Sequence, residues 1–194
     1  MSAPDVRDAR EAGFRTALLV VVVGLVVAWF ALPREARSEP AYGDLPPGTP
    51  LRVVAHTIGL DAHVVPVAVS PDGVLDPPDD YRLVGWRRGS ARPGAEQGQT
   101  VLTGHSVHTG GGSMNRVGRL RPGQKVDVVT GKGRMRYEVS RVRVLSHPQL
   151  ARAAARLFGQ GHGDGRLLLV SCTRWDGREY TSNVVVTAAA LGTP

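Results

Sequence analysis

One cysteine and one histidine stand where two apolar runs of the chain end. Cys172 is the only cysteine, and it ends the apolar run that follows Arg166. His105 ends a similar run over residues 100–105. Strand ends commonly present side chains to substrates, and a cysteine without a second one cannot form a disulfide within the chain. A thiol beside an imidazole can serve as a nucleophile, because a nearby imidazolium favours the reactive thiolate.

Polar residues close to this pair extend the candidate site. Arg174 and Arg178 follow the cysteine in a segment, residues 173–178, that has the composition of a turn. Either guanidinium could stabilise the oxyanion that forms when a thiolate attacks a carbonyl carbon. Thr103 lies two residues before His105, so both point to the same face of a strand, and Thr103 is expected to line the site.

Less specific interpretations of the same residues remain open. An unpaired cysteine after leucines and a valine is commonly an inert core residue, and a histidine at a turn is commonly structural. His105 and His108 could share a zinc ion with a third histidine. No cysteine or carboxylate stands at a recognisable ligand spacing, however, so we predict no metal site.

The distribution of charge excludes few classes of partner, but it disfavours binding to nucleic acid. The formal net charge of the 194 residues is +7, and the basic residues are spread along the whole chain without a lysine-rich or arginine-rich run. With few aromatic residues as well, nucleic-acid binding has little support. A basic surface that faces an anionic membrane or cell-wall polymer accounts for the charge equally well.

The chain after residue 50 has the pattern of an all-β domain, because short valine-rich segments alternate with Gly, Pro and Asp. About eight strands are expected, which is enough to close a small barrel. Short helices are predicted at residues 148–158, where apolar residues recur at helical spacing, and at 114–120. The predicted strands cover residues 51–56, 63–69, 81–86, 100–105, 125–130, 134–145, 167–172 and 184–189.

The N-terminal part contains a candidate membrane segment. Residues 16–32 carry no charge and are just long enough to cross a bilayer as a helix. More arginines precede the segment than follow it, which favours an N-terminus inside the cell. A cleaved signal peptide is the alternative, and the length of the apolar segment disfavours it. The prediction is a single-pass protein of the cell membrane with a cytoplasmic head (1–15), a transmembrane helix (16–32), a proline-rich tether (33–50) and an extracytoplasmic domain (51–194).

In this order and spacing, the segments resemble the sortases, which are membrane-anchored cysteine transpeptidases with an eight-stranded β-barrel. The resemblance covers nearly the whole chain and includes Thr-Gly-His105, the Leu-Arg-Pro-Gly123 turn and Leu-Val-Ser-Cys172. The final strand, Tyr180-Thr-Ser-Asn183-Val-Val-Val, is similar to the Tyr-x-x-Asn-Val-Val-Val pattern of actinobacterial sortases. Class F is the first candidate on this pattern, and class E is the second.

The resemblance implies a reaction and its partners. Cys172 would attack the Thr–Gly bond of a C-terminal sorting signal of the Leu-Pro-x-Thr-Gly type and form a thioester, which an amine then resolves. His105 would protonate the leaving amine and deprotonate the incoming one. The partners would be secreted proteins that carry the signal, the amine of a cell-wall precursor or pilin lysine, and the membrane through the N-terminal helix. No metal or organic cofactor is implied.

The arginine of the family has no obvious counterpart. In many sortases it lies at the start of the final strand, where this chain has Ser182 and Asn183. Arg178 is the first choice, because of its Arg-x-Tyr spacing before the final strand, and Arg174 is the second. The residues predicted to bind the signal peptide are Thr103, Ser171 and Asn183.

A second function of another class also fits the sequence. The domain would then be a non-catalytic, membrane-tethered β-barrel that binds cell-wall or secreted peptides, with Cys172 as a packing residue. In an oxidising exterior, a lone thiol is either buried and inert or kept for its chemistry. The two functions differ in whether Cys172, His105 and an arginine meet at one open cleft.

Overall fold

The protein is described by a computed structural model that covers residues 42–70, 74–161 and 163–194. Eight strands form most of the domain, which confirms the predicted all-β class, and one α-helix, α1, spans His147–Phe158. The strands are β1 (Pro50–Ala55), β2 (Leu60–Val67), β3 (Val84–Arg87), β4 (Gly98–Gly104), β5 (Lys125–Thr130), β6 (Gly133–Ser146), β7 (Asp164–Trp175) and β8 (Tyr180–Gly192).

These strands close into a barrel in the order β1-β2-β3-β4-β7-β8-β6-β5, and β5 pairs with β1 to complete it. The β2–β3 and β4–β7 pairs are parallel, and the other pairs are antiparallel. A parallel pair requires a long crossover connection. Between β4 and β7 the connection includes β5, β6 and α1. Because β4 and β7 run in the same direction, the residues that follow them lie at the same edge of the barrel.

Alternating side chains divide the apolar residues between two clusters. The interior core of the barrel includes Leu102, Leu167 and Leu169. Their neighbours Leu168 and Val170 belong to a second cluster on the outer face, where Leu150, Leu157 and Phe158 of α1 pack against them. Strands that are covered on both faces have continuous apolar sequences, and β7 has this property because α1 lies over it.

Both ends of α1 are fixed by hydrogen bonds. Ser146 at the N-cap accepts a bond from the backbone of Gln149, whose side chain accepts one from the backbone of Ser146, so the two form a capping box. At the other end, Arg87 Nη1 donates to the carbonyl oxygen of Phe158 at 2.7 Å. The predicted helix at 148–158 is thus confirmed, and its position over the sheet is determined at both ends.

Several predicted bounds differ in the structure. The third strand covers Val84–Arg87 and not 81–86, the fourth ends at Gly104, and the last covers Tyr180–Gly192 and not 184–189.

Two further elements differ as well. The segment 114–120 contains only a short 3-10 helix, Val117–Arg119, because the backbone N–H of Met114 bonds to the carbonyl of His105 and holds the segment against the loop after β4. Strand β7 does not end at Cys172 but continues to Trp175, since its last residues pair with β8. Residues 173–175 are therefore strand, and the turn begins at Asp176.

Part of the predicted tether packs against the barrel. Gly43 pairs with Thr193, and the Leu45 side chain is buried in the core. Ordered structure therefore begins before residue 51. The predicted transmembrane helix, residues 16–32, lies outside the described residues. Within the described part of the chain, none of the helices has the length and apolar character that a membrane crossing requires.

The core assignment predicts a stability difference between two leucines. We expect Leu169→Ala to lower the free energy of unfolding by about 2–5 kcal/mol, because the side chain is 0% exposed inside the barrel. The control Leu51→Ala removes the same atoms from a strand position that is 50% exposed, and we expect a loss below about 1 kcal/mol. Denaturant unfolding of the full-length proteins, followed by circular dichroism, measures both. Equal losses would contradict the position of Leu169 in the core.

Candidate active site

The β4–β7 pair brings the loop that contains His105 next to Cys172. Thr103 is the register partner of Val170 in the parallel ladder. One residue further along, the Ser171 hydroxyl donates to the carbonyl oxygen of Gly104 at 2.6 Å. Because its single proton is used there, it accepts the bond from the Ser106 hydroxyl at 2.9 Å. His105 lies between the two residues that Ser171 holds, and Cys172 directly follows Ser171.

The imidazole of His105 is half-buried and bonded on one side. Its Nε2 lies 2.9 Å from the carbonyl oxygen of Pro78. A carbonyl oxygen can only accept, so Nε2 carries a proton in this bond. Nδ1 is then the nitrogen that can take up a further proton. A fixed tautomer of this kind suits a group that exchanges protons during a reaction.

The thiol of Cys172 is half-buried. Its register partner on β8 is Asn183, whose Nδ2 lies 3.9 Å from the sulfur. Burial raises the pKa of the Cys172 thiol above its ordinary value. Burial also raises the pKa of the Tyr180 phenol, and the negative charge of the Cys172 thiolate adds to that shift.

A large groove with a volume of about 820 Å³ leads to the thiol along α1. We call it the α1 groove. Leu150, Ala154 and Phe158 form its helical wall, Leu75 lies on the opposite side, and Val170 lies below. The three residues predicted to bind a substrate all line it, together with Cys172: Thr103, Ser171 and Asn183. Since the Ser171 hydroxyl is already bonded to the loop after β4, this side chain positions His105.

A second cavity of about 320 Å³ opens on the other side of Cys172. We call it the hairpin cavity, because Arg174 and Tyr180 of the β7–β8 hairpin form one of its walls. The other wall is the segment after β4, which includes Asn115 and Arg119. In that wall, the Asn115 side chain both accepts from and donates to the backbone of Val107, at 2.6 and 2.9 Å. Cys172 lines both this cavity and the α1 groove.

The two arginines predicted from the sequence occupy different places. Arg178 lies in the turn of the hairpin, where its backbone N–H donates to Asp176 Oδ1 at 2.8 Å, and it lines neither cavity that Cys172 lines. Arg174 lines the hairpin cavity and adopts a positive φ of 61°. The structure thus brings Arg174 together with Cys172, and Arg178 is more distant from the cavities.

Aromatic contacts that the sequence did not predict join the two walls of the hairpin cavity. The rings of His108 and Trp175 stack with centroids 4.1 Å apart and planes 3° apart. Trp175 also meets Tyr180 edge-on at 5.2 Å. His108 was considered only as a zinc ligand, and within the described ranges no group of three or more candidate ligands could hold a metal ion. Arg119 and Tyr180 were also missed, because their approach to the thiol depends on how distant segments fold together.

Comparisons with solved structures find proteins with the same fold. Among solved structures, a lid mutant of sortase A from Corynebacterium diphtheriae matches with a TM-score of 0.59 and 17% identity, covering 80% of this chain and 75% of that chain. Sortase C-1 from Actinomyces oris matches with a TM-score of 0.56 and 19% identity, covering 76% and 75%. Sortase C2 of Group B Streptococcus pilus island 1 gives 0.54 and 18%, covering 72% of each chain. A search of curated proteins finds no match.

The family follows from the sequence match, whereas the solved structures at these identities establish the shared fold. Residues 54–191, most of the chain, match the family model of the sortase domain. They include β2 to β7 completely. Only the end of β1 is covered, and β8 is covered except for its last residue. They also include every residue that lines the α1 groove and the hairpin cavity. The chain belongs to the sortase family.

Proposed function

We propose that this sortase is a membrane-anchored cysteine transpeptidase in which Cys172 is the nucleophile and His105 is the general acid and base. The observation that carries the proposal is the parallel pairing of β4 with β7, which brings both residues to one edge of the barrel. That edge is also the end of the α1 groove, so a bound peptide can reach the thiol. The family match supports the reaction type.

The first half of the reaction forms a thioester. The thiol proton of Cys172 passes to His105, and Sγ attacks the carbonyl carbon of the Thr–Gly bond in a sorting signal. The tetrahedral intermediate then breaks its C–N bond, and His105 gives the proton to the leaving amine. Because burial raises the pKa of the thiol, most molecules hold a protonated Cys172 at neutral pH, and a base is needed to begin the reaction.

The second half of the reaction transfers the acyl group. A neutral amine attacks the thioester carbon, His105 takes a proton from the amine, and the C–S bond breaks to release Cys172. The product is a new amide between the secreted protein and the acceptor. Water in place of the amine would give hydrolysis instead. The chemistry uses only side chains of this chain and the two substrates.

Two polar residues are the best placed to stabilise the oxyanion. Asn183 lies across from Cys172 in the ladder, close to the position at which the resemblance expects an arginine, and its Nδ2 can donate a hydrogen bond. Of the two candidate arginines, Arg174 is the better supported, because it shares a cavity with Cys172. Arg178 has no comparable contact with the site.

The apolar lining of the α1 groove suits the leading apolar residue of a Leu-Pro-x-Thr-Gly signal. Leu150 and Phe158 of α1 and Leu75 opposite them offer the contact surface. Thr103 is buried at the base of the groove, beside Val170, which lies two residues before Cys172 on β7. We therefore expect the signal to lie along α1, with its Thr–Gly bond at the sulfur.

The location and class of the enzyme are proposed from the sequence. Residues 16–32 would anchor the chain in the cell membrane, residues 1–15 would remain in the cytoplasm, and residues 33–50 would connect the anchor to an extracytoplasmic domain. Secreted proteins with a sorting signal would supply the acyl group, and a cell-wall precursor or pilin lysine would supply the amine. The final-strand pattern favours class F over class E.

The reaction can be tested by mass spectrometry of the full-length protein with Leu-Pro-x-Thr-Gly peptides and triglycine. We expect a thioester adduct on Cys172 and an amine-exchanged product, and we expect Cys172→Ala to abolish both. His105→Ala should lower the rate of transfer by about 10²–10⁴-fold, because proton transfer is lost. His63→Ala, which changes an exposed histidine on β2, is the matched control.

Some outcomes would contradict the proposal. A thiol that stays unmodified with a broad panel of signal peptides would favour the non-catalytic, peptide-binding barrel. Equal losses in His105→Ala and His63→Ala would remove His105 from the mechanism.

The raised pKa of the thiol predicts an unusual pH profile. We expect the rate at which iodoacetamide alkylates Cys172 to keep rising at pH values where the rate for an ordinary cysteine has levelled, because burial delays formation of the thiolate to higher pH. Cys172 is the only cysteine, so intact mass reports this one site. The urea-unfolded protein is the control, since its thiol is solvated. A folded-state profile that levels at lower pH than the unfolded one would refute the prediction.

The roles of the polar residues can be ranked by their effect on thioester formation. We expect Asn183→Ala to slow this step by about 10²-fold, as is typical when one oxyanion donor is lost. Asn183→Asp keeps the size but replaces the donor with a negative charge, so it should be at least as slow. Arg174→Ala should cost more than Arg178→Ala. Single-turnover kinetics of the four variants measure the order, and a larger loss in Arg178→Ala would return the arginine role to that residue.

A further inference from the structure

The two cavities beside Cys172 differ in chemistry. The α1 groove is mainly apolar, whereas the hairpin cavity is lined by two arginines, Arg119 and Arg174, and by no carboxylate residue. We propose that the hairpin cavity binds the amine acceptor, and that it selects an acceptor that carries an anionic group near its amine. This inference rests on the proposed transpeptidase function and concerns the second substrate of the same site.

The position of the cavity suits an acceptor. While the acyl group is held as a thioester, the donor peptide fills the α1 groove, and the amine must approach the carbonyl carbon from another direction. The hairpin cavity reaches Cys172 from the other side. The part of the sorting signal after the cleaved bond leaves from the same carbon when the thioester forms. Once it has left, that side of the carbon is open to the acceptor.

The guanidinium groups of the cavity have no competing partners. Neither the Arg119 nor the Arg174 side chain makes a hydrogen bond or an ion pair with another described residue. Other arginines of the domain do pair with carboxylates, for example Arg52 with Asp61 and Arg136 with Asp127. Both guanidiniums of the hairpin cavity are therefore available to a ligand. Arginine is also the side chain best suited to bind a carboxylate or phosphate with two parallel hydrogen bonds.

The backbone of Arg174 supports a role for this residue beyond folding. Its φ of 61° is the one positive value among the non-glycine residues that the structure describes. An L-residue in this region is strained, and glycine would relieve that strain. The conformation is held in place by the Thr181 hydroxyl, which donates to the Arg174 carbonyl at 3.1 Å. A strained residue that turns its charge toward a cavity is expected where the charge has a function.

The charge of the cavity determines which amine it favours. A simple alkylammonium ion would meet two positive charges, and this repulsion disfavours its binding. An acceptor with an anionic group can bind that group to the arginines, and the same positive charges then favour the neutral form of its amine. Only the neutral amine is a nucleophile. The arginines would thus both hold the acceptor and promote loss of its proton.

A homologous series of acceptors tests this inference in the full-length protein. Glycine, β-alanine, 4-aminobutyrate and 6-aminohexanoate are each compared with their amides, which have the same amine and no charge on the carbonyl end. Phosphoethanolamine, compared with ethanolamine, distinguishes a phosphate from a carboxylate as the preferred anion. The transfer rate from the preformed thioester is measured as a function of acceptor concentration.

We expect at least one anionic acceptor to have an apparent KM about tenfold below that of its neutral partner, because charge-assisted hydrogen bonds are lost in the neutral compound. Arg119→Gln should raise the KM of that anionic acceptor about tenfold, and it should not raise the KM of the matching amide, because one of the two charges that repel the ammonium form is removed. Arg116→Gln is the matched control, because Arg116 is exposed in the same segment and does not line the cavity. The KM of each acceptor is compared between variant and wild type, so differences in intrinsic reactivity between the amines cancel.

Two failures are distinguishable. If the thioester forms but neutral and anionic acceptors of every length have equal KM values, or if Arg119→Gln and Arg116→Gln behave alike, the acceptor site is refuted while the transpeptidase remains. If no thioester forms with any donor peptide, the proposed function fails and the inference fails with it. Arg174→Gln is a secondary variant, because Arg174 is also a proposed oxyanion donor and its loss would change the transfer rate for both kinds of acceptor.

Discussion

The pairing of β4 with β7 is the constraint on which the site depends. Two parallel strands end at the same edge of a sheet, and here the residues that follow are joined further by the Ser171 hydroxyl, which bonds to Gly104 and Ser106 on either side of His105. Cys172 and His105, the proposed nucleophile and its proton partner, are thus positioned by backbone pairing and one buried side chain. Because the ladder bonds that hold Cys172 also hold the barrel core, we expect sequence changes in the surrounding loops to have little effect on its position.

Burial has two consequences on the outer face of the barrel. The α1 contacts that cover β7 also form the apolar α1 groove, and the partial burial of Cys172 at the end of that groove raises the pKa of its thiol. A good peptide site and a readily ionised thiol therefore oppose each other. In the proposed mechanism, two polar residues near the thiol offset this conflict. His105, in the loop after β4, moves a proton, and Asn183, which lines the groove, donates to developing negative charge.

The sequence predicted what depends on local pattern and missed what depends on distant contacts. The eight strands, α1 and the strand-end location of His105 followed from apolar runs and turn residues. The end of β7 was predicted three residues too early. The segment 173–178 has the composition of a turn, and only the pairing of residues 173–175 with β8 makes its first half a strand. Arg119 carried no signal, since nothing in its neighbours indicates that a short 3-10 helix brings it to the thiol. The roles of the arginines stay predictions until the variants are measured.

The two cavities beside Cys172 are held by different kinds of interaction. The α1 groove is built on ladder pairing, a capped helix and a bond from Arg87 to the helix end. The walls of the hairpin cavity are joined instead by side chains, namely the stack of His108 on Trp175, which Tyr180 supports from the same hairpin. Trp175 and Tyr180 are the last register pair of β7 and β8, but their rings carry no ladder hydrogen bond, so substitutions there change the cavity and leave the backbone pairing in place. The proposed acceptor site can therefore change while Cys172 and the α1 groove stay intact.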